Sequence, residues 1–136
     1  MKHKNIFVAC DTSNLSEIKK IIIQTQTNKL KVVPKFGLQF FYSKNGRKFL
    51  ENFSKGFWLD LKTNDIPQTA LSAVDNLKDL KKCKYITVHA NGGFEMLKAI
   101  KEKVKSINKN LKSISYSRAL FQIVLIDIVT IFVTSL

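Results

Sequence analysis

Within Phe57 to Lys62 (FWLDLK) a carboxylate, Asp60, and an amine, Lys62, stand two residues apart. On a β-strand positions i and i+2 share a face, so the two charges point together while Leu59 and Leu61 point the other way. Taking charges out of water costs several kcal/mol per ion unless they are paired, and a strand built only to pack has no use for them. A structural ion pair at the end of the strand would satisfy this pattern on its own. Lys35, in the neighbouring apolar run VVPKFG, shifts the balance. Two lysines alternating with Asp60 and Asp65 make an electrostatic device, of the kind that steadies charge developing during a reaction.

The order of periodicities along the chain says what must position these groups. Asn5 to Cys10 (NIFVAC) is a short β-branched run suited to a strand buried on both faces. Thr12-Ser13-Asn14 then offers capping side chains ahead of a helical stretch, LSEIKKIIIQTQ. Lys31 to Phe36 is a second strand, with a helix expected near Ser43 to Phe53 and a break at Gly56. Phe57 to Lys62 is a third strand. A helix is expected over Ile66 to Leu80, with Pro67 in its first turn, where a missing N–H costs nothing. Tyr85 to His89 is a fourth strand, Asn91-Gly92-Gly93 a tight turn, and a helix runs on to about Asn108. A fifth strand is expected to begin at Leu111 to Ile114.

Strands alternating with helices imply parallel pairing through right-handed crossovers. Asp11, Lys35, Asp60 and His89 recur at intervals of 24, 25 and 29 residues, each at the C-terminal end of its strand. In a (β/α) barrel that end collects the catalytic groups. A doubly wound sheet would share the alternation, but the glycine-rich phosphate fingerprint is missing after the first strand. The 136 residues rule out a complete eight-stranded barrel, which needs about 200–250. The expected fold is therefore α/β, a partial TIM (β/α) barrel of about four to five parallel strands with alternating helices.

Composition narrows the function. Apolar residues make up 45% and charged residues 24%, enough for a sizeable core, and the net charge is +13. That charge comes from 21 Lys and only two Arg, Arg47 and Arg118. Arg is the residue suited to bidentate phosphate and base contacts, and scattered lysines attract polyanions only nonspecifically. No specific nucleic-acid partner is expected. Cys10 and Cys83 form no CxxC pair, and with the N-terminus reading as a strand, not a signal peptide, they fit buried thiols in a reducing cytoplasm. Two histidines, His3 and His89, and no Cys/His cluster leave no metal site to expect. Gly92-Gly93 reads more simply as a tight turn than as a ligand cradle, and Met96, Leu97 and Ile100 as packing residues.

Four segments carry a family resemblance. DLKTNDIPQT (Asp60 to Thr69), PKFGLQFF (from Pro34 to Phe41), FVACD (Phe7 to Asp11) and VHANGG (Val88 to Gly93) resemble the orotidine 5′-phosphate decarboxylases in motif, order and spacing. The D-x-K-x-x-D-I-P-x-T signature is met in full. The resemblance implies conversion of orotidine 5′-phosphate to UMP in pyrimidine synthesis, without metal or cofactor, by a homodimer. The electrons left at C6 lie in the ring plane and cannot enter the π system, so preorganised charge in a water-poor site must steady them. By resemblance Lys62 is the general acid that protonates C6, Asp60 faces the departing carboxylate, and Lys35 holds Asp60 and a ribose hydroxyl. Asp65, with Thr69 nearby, reaches into the partner's site, and Asp11 binds the ribose. A relative acting on another sugar phosphate shares D-x-K-x-x-D, and a basic assembly module that has lost catalysis would keep the charge alone.

The resemblance covers about residues 5 to 112. Residues 1–112 are thus expected to form the N-terminal half of a decarboxylase barrel, and 113–136 a divergent apolar tail. From Ala119 the run ALFQIVLIDIVTIFVTSL holds a single charge, Asp127. It could be a buried strand pair, a membrane segment, or the product of a frameshift or gene-end truncation. Membrane anchoring is disfavoured, because a central Asp costs about 2.5–3.5 kcal/mol on insertion. The pyrimidine-reading and phosphate-binding groups of the family have no counterparts after Lys112, so impaired activity is expected. Open edges at the first and fifth strands are expected too.

Overall fold

The computed structural model describes residues 5–116 and 129–132. Six parallel strands form one sheet in the order β5-β4-β3-β2-β1-β6. They are β1 (Asn5–Cys10), β2 (Lys31–Gly37), β3 (Phe57–Thr63), β4 (Cys83–His89), β5 (Lys112–Tyr116) and β6 (Val129–Phe132). Consecutive strands from β1 to β5 are neighbours, as successive βα units require. The connecting helices are α1 (Leu15–Gln24), α2 (Leu38–Phe41), α3 (Gly46–Glu51), α4 (Pro67–Asp75) and α5 (Gly93–Ile107).

Local chemistry accounts for the boundaries. Asn14 Oδ1 accepts from the N–H groups of Ser16 and Glu17 and caps α1. Pro67 opens α4, as expected. Gly93, at φ 80°, takes the left-handed turn from the Ala90–Gly92 3₁₀ turn into α5. The helix expected near Ser43 to Phe53 is found as the shorter α3, and it is preceded by an unexpected short helix, α2, directly after Gly37, with Ser43 Oγ donating to the Phe40 carbonyl between the two. α4 stops at Asp75 and continues as turns to Leu80, shorter than its apolar pattern indicated.

The sheet buries both faces. Between sheet and helices lies the main core, with Cys10, Phe36, Phe57, Leu59, Met96 and Ile100 all fully buried. Phe36 is ringed by Phe40, Phe49, Phe53 and Phe57 at centroid distances of 5.2–6.3 Å. The opposite, concave face carries a second cluster, Phe7, Val33 and Trp58 with Tyr85 and Ile114, one residue from each of β1 to β5. This is the interior of the partial barrel. Alternation along β3 divides the two: Phe57, Leu59 and Leu61 pack toward the helices, Trp58 and Asp60 toward the interior.

The first strand is not an open edge. β6 pairs with it in parallel, Ile6 with Val129 through Ala9 with Phe132, so the apolar tail supplies the strand that satisfies that edge. Residues 117–128 and 133–136, most of the tail, lie outside the described residues. No helix among the described residues is long and apolar enough to cross a membrane.

Candidate active site

Asp60 is the centre of the site. It sits near the C-terminal end of β3, in register with Gly37 of β2, and is 7% exposed. Lys35 Nζ approaches its Oδ2 at 2.8 Å and Lys62 Nζ the same oxygen at 3.0 Å. One carboxylate oxygen thus bridges two amines from adjacent strands. Burial pushes the Asp60 carboxyl up, but the hydrogen bond and charge of Lys35, then Lys62 and the Thr87 hydroxyl, together hold it below the usual carboxylate range. It is a carboxylate at neutral pH, and the three charges sum to +1, a cluster suited to an anionic ligand.

The two lysines are held differently. Lys35 is largely buried, its side chain 14% exposed, and its ammonium also lies 5.6 Å from the Trp58 ring centroid. Lys62 is 40% exposed and stands at the rim. Its backbone is at φ 51°, and the pairing of β3 with β4 shifts register between Leu59 and Thr63. An irregularity of this kind re-aims a side chain. The i, i+2 expectation therefore reaches the right outcome, Asp60 and Lys62 together, by a route that regular strand geometry does not describe.

Asp11 follows β1, on the far side of β2 from Asp60, and is exposed. Its carboxylate lies against Gly37, where any Cβ would collide with Asp11 Oδ1. Gly37 is therefore the gap in the row Asp11–Gly37–Asp60, and only a residue without a side chain leaves that gap open. Asp65 and Thr69 follow β3, in the segment that leads into α4 and its first turn. Both are exposed, as is every residue from Asn64 to Thr69, and Asp65 Oδ1 accepts from the Ile66 N–H at 2.7 Å. Ile66, at 67% exposed, stands beside them. His89 caps the 3₁₀ turn after β4, its Nδ1 accepting from Asn91 N–H at 3.2 Å. Cys10 faces away from the mouth, as its parity predicts. Burial pushes its thiol and that of Cys83 up to about 12, and both are unpaired.

Two residues of the site were not legible as functional. Thr87 is 3% exposed and lies near Asp60, and Trp58 donates its indole N–H to Thr87 Oγ1 at 2.7 Å. In sequence both look like ordinary strand residues. Their parity was the available signal, since Trp58 shares the face of Asp60 and Thr87 that of His89.

Fold and site together define a class: a parallel (β/α) half-barrel with an ion-paired Lys-Asp-Lys cluster at the C-terminal rim of its central strands. The chain belongs to the orotidine 5′-phosphate decarboxylase / HUMPS family, whose model matches residues 4–128. It is similar to the orotidine 5′-phosphate decarboxylase of Streptococcus pyogenes, 34% identical over 104 residues, covering 75% of this chain and 44% of that protein. The Malacoplasma penetrans decarboxylase is likewise 34% identical, over 121 residues, covering 87% and 51%. The chain thus spans about half the length of the curated relatives it matches. Among solved structures, the decarboxylase of Lactobacillus acidophilus superposes with a TM-score of 0.67 at 26% identity, covering 90% of this chain and 57% of that one. The Methanocaldococcus jannaschii decarboxylase, solved with the inhibitor BMP, shares the fold at a TM-score of 0.68 and 23% identity, covering 88% and 56%.

Proposed function

We propose that this chain carries the charge-bearing half of an orotidine 5′-phosphate decarboxylase site and acts in the cytoplasm in de novo pyrimidine synthesis. The observation that carries the reading is the single Asp60 oxygen shared by Lys35 and Lys62, inside a complete D-x-K-x-x-D-I-P-x-T segment. In this reading the C6–carboxylate bond breaks and CO₂ departs with its electron pair left on C6. Lys62 steadies that in-plane pair and then gives it a proton, leaving an amine that solvent reprotonates. Asp60 meets the substrate carboxylate and raises the energy of the bound ground state. Lys35 keeps Asp60 ionised and reaches a ribose hydroxyl, and Asp11 binds the ribose.

Asp65 and Thr69 serve the site of a second copy in a homodimer, a role supported by the uninterrupted exposure of Asn64 to Thr69 and by the apolar Ile66 among them. The groups that grip the phosphate and read the pyrimidine we assign to the part of the relatives that this chain does not match. Binding energy from those remote parts of the substrate drives catalysis in such a reaction, so the 136-residue chain alone is expected to turn over slowly.

The test adds back what the relative has and this chain does not match. The purified chain is assayed for UMP formation from orotidine 5′-phosphate, alone and mixed with a fragment of the S. pyogenes enzyme lacking the matched stretch. Turnover that rises on mixing and vanishes with Lys62→Ala supports the proposal. Turnover that ignores Lys62, or that requires a 3-keto sugar acid phosphate instead, refutes it.

A further inference from the structure

Beneath the charged cluster the concave face carries a floor of aromatic rings, and one ring is tied to the charges twice. Trp58 is 7% exposed and precedes Asp60 by two residues, so it faces the same side. Its Nε1–H donates to Thr87 Oγ1, and its π face lies beneath Lys35 Nζ. Phe7 meets it edge-on at a centroid distance of 4.9 Å and Tyr85 at 6.3 Å, which fixes the plane of the indole. An indole N–H only donates, so Thr87 Oγ must accept in that bond, and the hydroxyl's one proton is directed elsewhere. Thr87 helps to hold the Asp60 carboxyl below the usual carboxylate range, which places that carboxylate close to its hydroxyl.

We infer that Trp58 and Thr87 are positioning residues: indole, hydroxyl and carboxylate form a directional chain that fixes the orientation of Asp60 from β4, while the indole face supports Lys35. The need for such an anchor follows from the lysines. Each carries its ammonium on a flexible four-carbon stem, and both meet Asp60 through the same oxygen, so a carboxylate held by them alone could pivot with them. The donor from β4 comes from a buried, β-branched residue with a stiff χ1. The chemical use of this chain of bonds rests on the proposed decarboxylase site, but its existence does not depend on turnover.

The protein has one tryptophan, so its indole ¹⁵N–¹H resonance reports on the chain of bonds directly. The parent, Thr87→Val, Thr87→Ser and Trp58→Phe are compared by that resonance, where Trp58 is present, and by titration of the Asp60 carboxyl carbon. Thr87→Val is expected to move the indole proton upfield and the Asp60 titration to higher pH, because a donor to the carboxylate is lost. Thr87→Ser, which keeps the hydroxyl, restores both. Trp58→Phe keeps a ring beneath Lys35 but frees the Thr87 hydroxyl to turn, and also raises the titration. An Asp60 titration unmoved by Thr87→Val and by Trp58→Phe overturns the inference, as does a Thr87→Ser protein that behaves like Thr87→Val. Should Thr87→Val not fold, the other two substitutions decide. A structural role alone would alter melting and leave the titration in place. If the decarboxylase reading fails instead, the resonances remain linked while Lys62-dependent turnover is absent.

Discussion

Lys62 is, among the described residues, the one non-glycine at positive φ, and that strain gives a test of how its amine is aimed. Consider Lys62→Ala and Lys62→Gly side by side. Both remove the ammonium, so the loss of its ion pair with Asp60 cancels in the comparison. They differ in the backbone. A Cβ in the left-handed region costs about 1–2 kcal/mol, and glycine escapes it. Against that, glycine surrenders more freedom on folding, about 0.5–1 kcal/mol relative to alanine. The difference leaves Lys62→Gly more stable than Lys62→Ala by about 0.5–1 kcal/mol, the reverse of the usual order within a strand. Urea unfolding reads it: for an m-value of about 2 kcal/mol/M the midpoints separate by roughly 0.3–0.5 M. An alanine variant as stable as the glycine one would refute the reasoning. The backbone would then be relaxing out of its left-handed conformation once the amine is gone, and the aim of Lys62 would come from its partner and not from the bulge.

Two further predictions concern the groups around it. Gly37→Ala meets only the end of the exposed Asp11 side chain, at a φ of −91° that alanine accepts, so stability should stay within about 0.5 kcal/mol of the parent, alanine's gain in an accessible conformation offsetting the displaced carboxylate. Calorimetric titration with UMP should nevertheless weaken, because Asp11 must swing away; unchanged affinity would remove Asp11 from the site. Asp60 has a folded titration below that of the unfolded chain, so its contribution is present above the ordinary carboxylate value of about 4 and is lost as pH falls further. Asp60→Asn should therefore flatten the acid limb of a stability-versus-pH curve below about pH 4; identical acid limbs would show that the ion-paired cluster does not persist in solution.

How far the sequence leads depends on which interactions are local. β1 begins and ends where its apolar run does, and Lys35, Asp60 and Lys62 meet because parallel strands in succession bring their C-terminal ends together. Strand parity also places Cys10 and Leu59 in the helix-side core. What escapes is set by contacts between elements. The Thr87 hydroxyl matters only because β4 lies beside β3, and its register passes through an irregularity that no single-strand pattern contains. The helix expected from Ser43 starts only at Gly46, and the Ser43 hydroxyl instead donates to the Phe40 carbonyl at the end of the short helix before it. The pairing of β6 with β1 joins the two ends of the sequence, and composition shows only that the tail is apolar.

The position of the charged cluster within the sheet bears on what this chain retains. Lys35, Asp60, Lys62 and Thr87 come from β2, β3 and β4, and each of those strands has a neighbour on both sides. The edges lie elsewhere: β5 ends one side, and β6 closes the other by covering β1. Below the cluster, Phe7, Trp58 and Tyr85 fill the concave face with three mutually edge-on rings, so the interior near the cluster is packed by residues of this same stretch. Among the described residues, the partners of Asp60 named above, Lys35, Lys62 and Thr87, come from β2, β3 and β4. It follows that the charge arrangement and the grip on the substrate are separable. Three central strands suffice to bring two amines onto one buried oxygen, whereas under the proposed function the phosphate and the pyrimidine are held by other residues. In the proposed function, then, supplying the unmatched part of a relative should chiefly improve substrate binding and leave the spectroscopic signature of the Asp60 cluster where it stands in the chain alone.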